Sequence, residues 1–270
     1  MSAVTELRNL ARDIAAEAGK LASRMRQEGV EIAASKTTDI DIVTYGDQAT
    51  EEFIRSKIAD ARPQDGFLGE EGGAQRGSSG LTWVIDPIDG TVNYLYGIPA
   101  YGVSIAVVEG DPNPASWTTL AGVVNNPAIG EMFVAARGEG SFLGKQRLEV
   151  APVDSVEHTL LGTGFAYSSV MRARQARILN TLLPRVRDIR RIGACSLDLC
   201  SLAAGRLNAY YEIDLKPWDH AAGALIAREA GARIEGINGA KEGQDLLLAA
   251  HPAIFGEIHQ LLLDASWDLA

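Results

Sequence analysis

From residue 3 to 28 apolar side chains recur every three or four positions: Val4, Leu7, Leu10, Ile14, Ala18, Leu21 and Met25, with charged residues between them and Gly29 behind. That spacing predicts an amphipathic helix stopped by the glycine. A second helix is expected over 47–60, where Phe53, Ile54 and Ile58 keep the period and Thr44 with Asp47 makes a capping-box pattern at its start. Then the period shortens. GFLG at 66–69, TWVID at 82–86, YGVSIAVV at 101–108, TLAGVV at 119–124 and EMFVAA at 131–136 alternate with turns, which predicts a mostly antiparallel sheet. GAQRGSSG at 73–80 reads as a polar surface loop, and VVNNPAIGEM as a hairpin turn.

Beyond residue 145 the pattern changes again. Strands are expected in HTLLGTGF, RDIRRI, AYYEI and DLLLAA, alternating with helices over 170–184, 195–207, 218–230 and 252–265. The fold class is therefore α/β (α+β), with an antiparallel-sheet subdomain over 1–145 and an α/β subdomain over 146–270. No Pro-, Ser- or charge-rich linker separates them, so they are expected to pack as one unit around a shared cleft. A second Trp-Asp pair, Trp267–Asp268, lacks the Ala-Ala-Gly context of the first and reads as a solvated end.

Composition narrows the function. An apolar fraction of 46% over 270 residues supports a full core, and a formal charge of -10 argues against general attraction to nucleic-acid backbones. The first twenty residues carry acids throughout and no signal-peptide core, and no apolar run reaches the roughly 18 residues of a membrane span. Cys195 and Cys200 lie five apart in a helical segment, on different faces, which suits a reducing, cytoplasmic setting.

Acids fall where an interior would otherwise avoid them. Glu70 and Glu71 follow one strand, Asp86 and Asp89 another, and Asp219 opens a helix just after a strand and a proline. Each has a plain explanation: Glu70 and Glu71 as a solvated loop, Asp86 before Pro87 as a strand exit, Asp89-Gly90 as a turn, Asp219 as a first-turn acid, Asp47 as a capping partner. Taken together they point to convergence, because hard oxygen ligands without histidine or cysteine select Mg²⁺, Mn²⁺ or Ca²⁺. Gly90 lets backbone N–H groups approach an anion and Thr91 offers a hydroxyl to orient water, which together suggest phosphoryl chemistry.

Three motifs in this order, GEEGG at 69–73, WVIDPIDGTVNYLYGIPAYGVSIAVV at 83–108 and LKPWDHAAGALIAREAGARI at 215–234, resemble the inositol monophosphatase family and its bacterial SuhB-type branch, from about residue 5 to 260. The resemblance implies a layered α/β/α/β/α sandwich of the inositol monophosphatase / fructose-1,6-bisphosphatase type, a homodimer, and Mg²⁺-dependent, Li⁺-sensitive hydrolysis of a small phosphorylated polyol. Glu70, Asp86 and the carbonyl of Ile88 would hold one Mg²⁺; Asp86, Asp89 and Asp219 a second; a third, weaker ion would lie near Glu70. Thr91, paired with Glu70 or Asp47, would activate the attacking water. Gly90 and Thr91 would bind phosphate oxygens, and Lys36 would lie on a loop over the site.

On the alcohol side the resemblance places Arg190, Gly193, Ala194 and Glu212, with Asp89 and Asp219 also facing substrate. Ala194-Cys195 stands where the family more often has Ser-Ala or Thr-Ala, which removes a hydroxyl; Tyr94 stands where phenylalanine is commoner. A nucleophilic Cys195 would lack a histidine partner in its motif, and His220 is expected to point away from the ligands. The alternatives are a histidinol-phosphate, fructose-1,6-bisphosphate or nucleotide phosphatase of the same superfamily, or a non-catalytic partner of the transcription machinery. No membrane and no direct nucleic-acid partner is expected.

Overall fold

The structure is a computed structural model that describes residues 2–36, 38, 40–111 and 113–267, without the side chains of 266 and 267. The tail reading of Trp267–Asp268 lies outside those described side chains.

The chain opens with α1 (Ala3–Glu28), whose Ser2 hydroxyl accepts from Thr5 N and whose Gly29, at φ 124, takes the stop position the sequence predicts. A small antiparallel hairpin, β1 (Ile32–Ser35) and β2 (Ile42–Thr44), then leads into α2 (Tyr45–Ala61). Both halves of the capping box at Thr44 and Asp47 are formed. The large sheet follows, from β3 (Gly66–Gly69), β4 (Gly73–Gln75), β5 (Leu81–Asp89), β6 (Gly102–Glu109), β7 (Thr118–Asn126), β8 (Glu131–Ala136), β9 (Gly140–Leu143) and β10 (Gln146–Arg147), with α3 (Thr91–Tyr96) between β5 and β6. Its order is β10-β9-β8-β7-β6-β5-β3-β4, and only β3 and β5 pair in parallel.

The smaller sheet is built from β11 (Leu160–Thr163), β12 (Asp188–Arg190), β13 (Ala209–Glu212), β14 (Arg233–Glu235) and β15 (Leu247–Ala250), in the order β12-β11-β13-β15-β14. Between and after its strands run α4 (Ser169–Leu182), α5 (Cys195–Ala203), α6 (Pro217–Glu229) and α7 (Pro252–Trp267). β11 pairs in parallel with β12 and β13, while β15 runs antiparallel to β13 and β14.

Period-two alternation then places the layers. On β6, Val103, Ile105 and Val107 join Trp83, Ile85 and Val123 under Leu7, Ile14, Ile54 and Ile58 of α1 and α2. The intervening Ala106 and Val108 face the other way, into a core shared with Leu199 of α5 and Ala222 and Leu225 of α6. Tyr210, Leu247 and Ala249 bring one face of the smaller sheet into that same core. Its far face, with Tyr211 and Leu248, packs on Ile178 and Leu182 of α4 and Ile254, Phe255 and Ile258 of α7. The order α1–α2, large sheet, α5–α6, small sheet, α4–α7 is the five-layer sandwich that the resemblance implies. Both faces of the central strands are covered, so GVSIAVV is apolar throughout rather than alternating.

Several expectations need correction. GAQRGSSG is not all loop, because its first three residues pair with β3 as an edge strand. The strand TWVID does not exit at Asp86: β5 continues through Pro87 to Asp89, with a register shift against β6 between the two acids. The helix expected over 195–207 ends at Ala203, and β1, β2, β9, β10, β14 and α3 were not indicated by the pattern. No described helix is long and apolar enough to cross a membrane.

Candidate active site

In a regular strand residues i and i+3 face opposite sides, so Asp86 and Asp89 would point apart. The bulge undoes this. Asp86 lies opposite Ser104 and Asp89 opposite Gly102, so three steps on β5 span two on β6, and the extra residue turns both carboxylates into one cleft. β5 then breaks at Gly90, whose φ of 89 suits glycine and whose Cβ, if present, would fall 2.9 Å from the carbonyl oxygen of Ala100. Thr91 follows as the first residue of α3.

The cleft is lined on this side by Glu70, Asp86, Ile88, Asp89, Gly90 and Thr91, and on the other by residues of the smaller sheet and its helices. Asp219 enters from the first turn of α6, where Lys216 N donates to its Oδ2 at 2.6 Å. Gly193, Ala194 and Cys195 come from the turn into α5, and Glu212 from the end of β13. Of the expected positions beyond β5 and its turn, Glu70, Gly193, Ala194, Glu212 and Asp219 thus line this one cleft.

Thr91 Oγ1 lies 3.1 Å from both Asp47 Oδ1 and the carbonyl of Ile88, so its one proton has two acceptors. Of the two partners expected for Thr91, the structure pairs it with Asp47. Asp47 is buried; its Oδ2 accepts from Thr44 N at 2.8 Å and from Thr44 Oγ1 at 2.5 Å. Burial pushes its carboxyl up to about 7 despite those bonds. Lys36, between β1 and β2, reaches across the mouth to Glu70 Oε1 at 2.7 Å and Glu71 Oε1 at 2.6 Å. Burial works against the lysine's charge, but the two carboxylates more than restore it and raise its pKa.

The electrostatics of the acids are one-sided. Burial first, then the mutual repulsion of Glu70, Asp89, Asp219 and Asp47, holds Asp86 far above the usual carboxylate range. Asp219 is raised for the same reasons, and burial raises Glu70 against the pull of Lys36. Asp89 is raised by burial to about 6, against two bonds from α5: Ser196 N and Oγ donate to its Oδ2 at 2.7 Å and 2.5 Å.

Among the described residues no three Asp, Glu, His or Cys side chains close around one point as a finished cation cage. What the cleft holds is a set of buried oxygens that repel one another, and Asp86 Oδ1 is buried with no hydrogen-bond partner. An orphaned buried carboxyl oxygen costs about 1–3 kcal/mol, more when charged, unless a cation meets it. Oxygen donors of this kind fit a hard divalent ion.

Arg190 is a correction. Its side chain turns to Asp188 Oδ2 at 2.5 Å and lines a separate cleft with Ile192 and Arg206, because β12 alternates outward at that position. The arginine that lines the acid cleft is Arg191. The sequence pair Arg-Arg on a three-residue strand leaves the choice to through-space packing. Phe165 and Tyr167 also line the cleft without a signal in the motifs. Ser196, two positions on from Ala194, is buried, and its hydroxyl is spent on Asp89.

Glu212 accepts a hydrogen bond from the Tyr210 hydroxyl, and burial raises its carboxyl to about 7. Cys195 is buried, and burial pushes its thiol well up, so it stays protonated and is a poor nucleophile. Cys200 is likewise buried and free. His220 is buried and does not line the cleft; burial lowers it to about 4.

The model of the inositol monophosphatase family matches residues 3–269. An inositol-1-monophosphatase of Mycobacterium leprae is 45% identical over 92% of this chain and 90% of its own length. A protein of Pasteurella multocida named Nus factor SuhB is 38% identical over 93% of each chain. The crystal structure of the extragenic suppressor protein suhB from Bartonella henselae superposes with a TM-score of 0.87 at 31% identity, covering 95% of this chain and 98% of that one.

Proposed function

Because the chain belongs to the inositol monophosphatase family, we propose that it hydrolyses the phosphate monoester of a small polyol, inositol monophosphate foremost, with Mg²⁺ as cofactor. The observation that carries this reading is the β5 bulge, which turns Asp86 and Asp89 into one cleft and leaves Asp86 Oδ1 buried without a partner. The family generally depends on Mg²⁺. Glu70, Asp86 and the Ile88 carbonyl would hold one ion, and Asp86, Asp89 and Asp219 a second, with a third, weaker ion near Glu70. Bound Mg²⁺ would supply Lewis-acid activation of water and neutralise charge on the phosphate and the leaving oxygen.

The chain's own residues do the rest. Asp47, itself fixed by Thr44, orients the Thr91 hydroxyl so that it can position the attacking water and take up its proton through Asp47. Gly90 and Thr91, at the start of α3, line the cleft, and their backbone N–H groups would bind phosphate oxygens there. Glu212 and Arg191 offer an acceptor and a cation to the alcohol, beside Gly193 and Ala194. Lys36 covers Glu70 and Glu71 from the mouth. Displacement is in line, and no covalent intermediate is required.

The test is phosphate release from D- and L-inositol 1-phosphate, histidinol phosphate, fructose 1,6-bisphosphate and phosphoadenosine phosphate, each with Mg²⁺ and with EDTA. Preference for inositol phosphate, abolished by EDTA, supports the reading through to substrate; preference for another ester moves it to that branch. A homodimer in a reducing, cytoplasmic setting completes the proposal, and light scattering checks the dimer. The name Nus factor carried by the Pasteurella relative favours a second reading, partnership with the transcription machinery. A partner retained by a catalytically dead Asp89→Asn variant would establish that role as separate.

A further inference from the structure

The turn that carries Glu70 is held from behind by a residue outside the cleft. Glu51, midway along α2, is 2% exposed. Its Oε2 accepts from the backbone N–H of Glu71 at 2.7 Å and its Oε1 from that of Gly72 at 2.8 Å. Arg55, one helical turn on, donates Nε to Glu51 Oε1 at 2.7 Å and Nη2 to the carbonyl of Gly73 at 2.6 Å. Its guanidinium also lies over the Phe67 ring, 5.2 Å from the centroid.

Two glycines make room for this clamp. A Cβ on Gly69 would fall 2.3 Å from Glu51 Oε1, and one on Gly72 would fall 2.8 Å from Arg55 Cζ. On its other side Glu70 N donates to the carbonyl of Ile85 at 3.3 Å. The backbone on both sides of Glu70 is thereby fixed, and Glu70 lines the same cleft as Asp86. A buried carboxylate is costly unless fully paired, and Glu51 directs its two oxygens at the two residues after Glu70 and at the arginine that holds the third.

We infer that Glu51 is a positioning residue for the cation site: it sets the 70–73 turn so that Glu70 presents its carboxylate beside Asp86. The inference rests on the reading of Glu70 and Asp86 as Mg²⁺ ligands. Partners that orient ligands from behind typically affect metal affinity by about 10–100-fold. A role limited to stability would change the melting temperature and leave the affinity alone.

Mg²⁺ is titrated into EDTA-stripped protein and the rise in melting temperature is followed for wild type, Glu51→Gln, Arg55→Met and the double variant Glu51→Gln/Arg55→Met. Wild type is expected to respond, and Glu51→Gln to need about tenfold more Mg²⁺ for half the response. The double variant removes the unpaired arginine and is expected to keep that shift; Arg55→Met alone keeps the carboxylate clamp and a half-point near wild type. An unchanged half-point in Glu51→Gln, or one that returns to normal in the double variant, overturns the inference while the ligand reading stands. If Glu51→Gln does not fold, the double variant decides. A wild type without any Mg²⁺ response overturns the ligand reading and this inference with it.

Discussion

Stripped of divalent cations, the protein should lose stability as pH rises from about 5.5 to 8. The carboxyls of Asp47 and Asp89 stand at about 7 and about 6, both raised chiefly by burial. In the unfolded chain they return to about 3.9. Across this window the folded state therefore binds more protons than the unfolded one, so the stability slope with pH is negative. At 1.36 kcal/mol per unit, Asp47 loses about 2 kcal/mol between pH 5.5 and its own pKa, and Asp89 somewhat under 1. Asp86 and Asp219, raised further, and Glu212, raised by burial to about 7, add in the same direction.

A loss of about 3 kcal/mol corresponds to a fall of roughly 6–12 °C in melting temperature for a chain of this size. The assay is a melt in EDTA across that pH range, repeated at saturating Mg²⁺. Bound cation keeps Asp86, Asp89 and Asp219 ionised at either end, so the fall should be smaller with Mg²⁺, the remainder belonging to Asp47 and Glu212, whose carboxyls burial raises away from the ions. A melting temperature in EDTA that stays level or rises with pH would refute the burial and repulsion assigned to these groups, as would an equal fall with Mg²⁺ present.

Ser196→Ala removes one of two bonds to Asp89 Oδ2, and a hydrogen bond to a charged group is worth about 1.5–3 kcal/mol, so Mg²⁺ activation should need at least tenfold more ion in an activity titration. Arg191→Ala should raise KM for inositol phosphate severalfold while Arg190→Ala, whose side chain pairs with Asp188, stays near wild type in the same steady-state assay. Li⁺ should inhibit phosphate release and lose potency as Mg²⁺ is raised, measured as the change in half-inhibiting Li⁺ with Mg²⁺; insensitivity to high Li⁺ points to another branch of the superfamily.

Much of this was legible in the chain. The 3.6-residue period of α1 and the capping box at Thr44 and Asp47 predict those elements to within a residue or two, because helix signals are local. The acids behind GFLG and TWVI mark the cleft because carboxylates at the ends of buried strands need a reason. Other features leave no local trace. Strands of two to four residues such as β10 and β12 span barely one alternation, so the choice between Arg190 and Arg191 rests on packing. The β5 bulge depends on its register with β6, and Pro87 alone suggests an exit instead. Glu51 and Ser196 act on groups 20 and 107 residues away, contacts that no spacing rule can reveal. The layer order follows from which apolar face meets which, which the resemblance supplied and periodicity could not.

The most direct measurement is phosphate release from inositol 1-phosphate as Mg²⁺ is titrated into EDTA-treated protein, wild type beside Asp89→Asn. The carboxylate cleft predicts no release without Mg²⁺, saturable recovery in wild type, and no recovery in the variant, whose fold and melting temperature stay close to wild type because Ser196 still has an oxygen to donate to. Activity in EDTA, or a variant that approaches wild-type turnover at saturating Mg²⁺, would contradict the claim that this cleft holds the ions that drive the reaction.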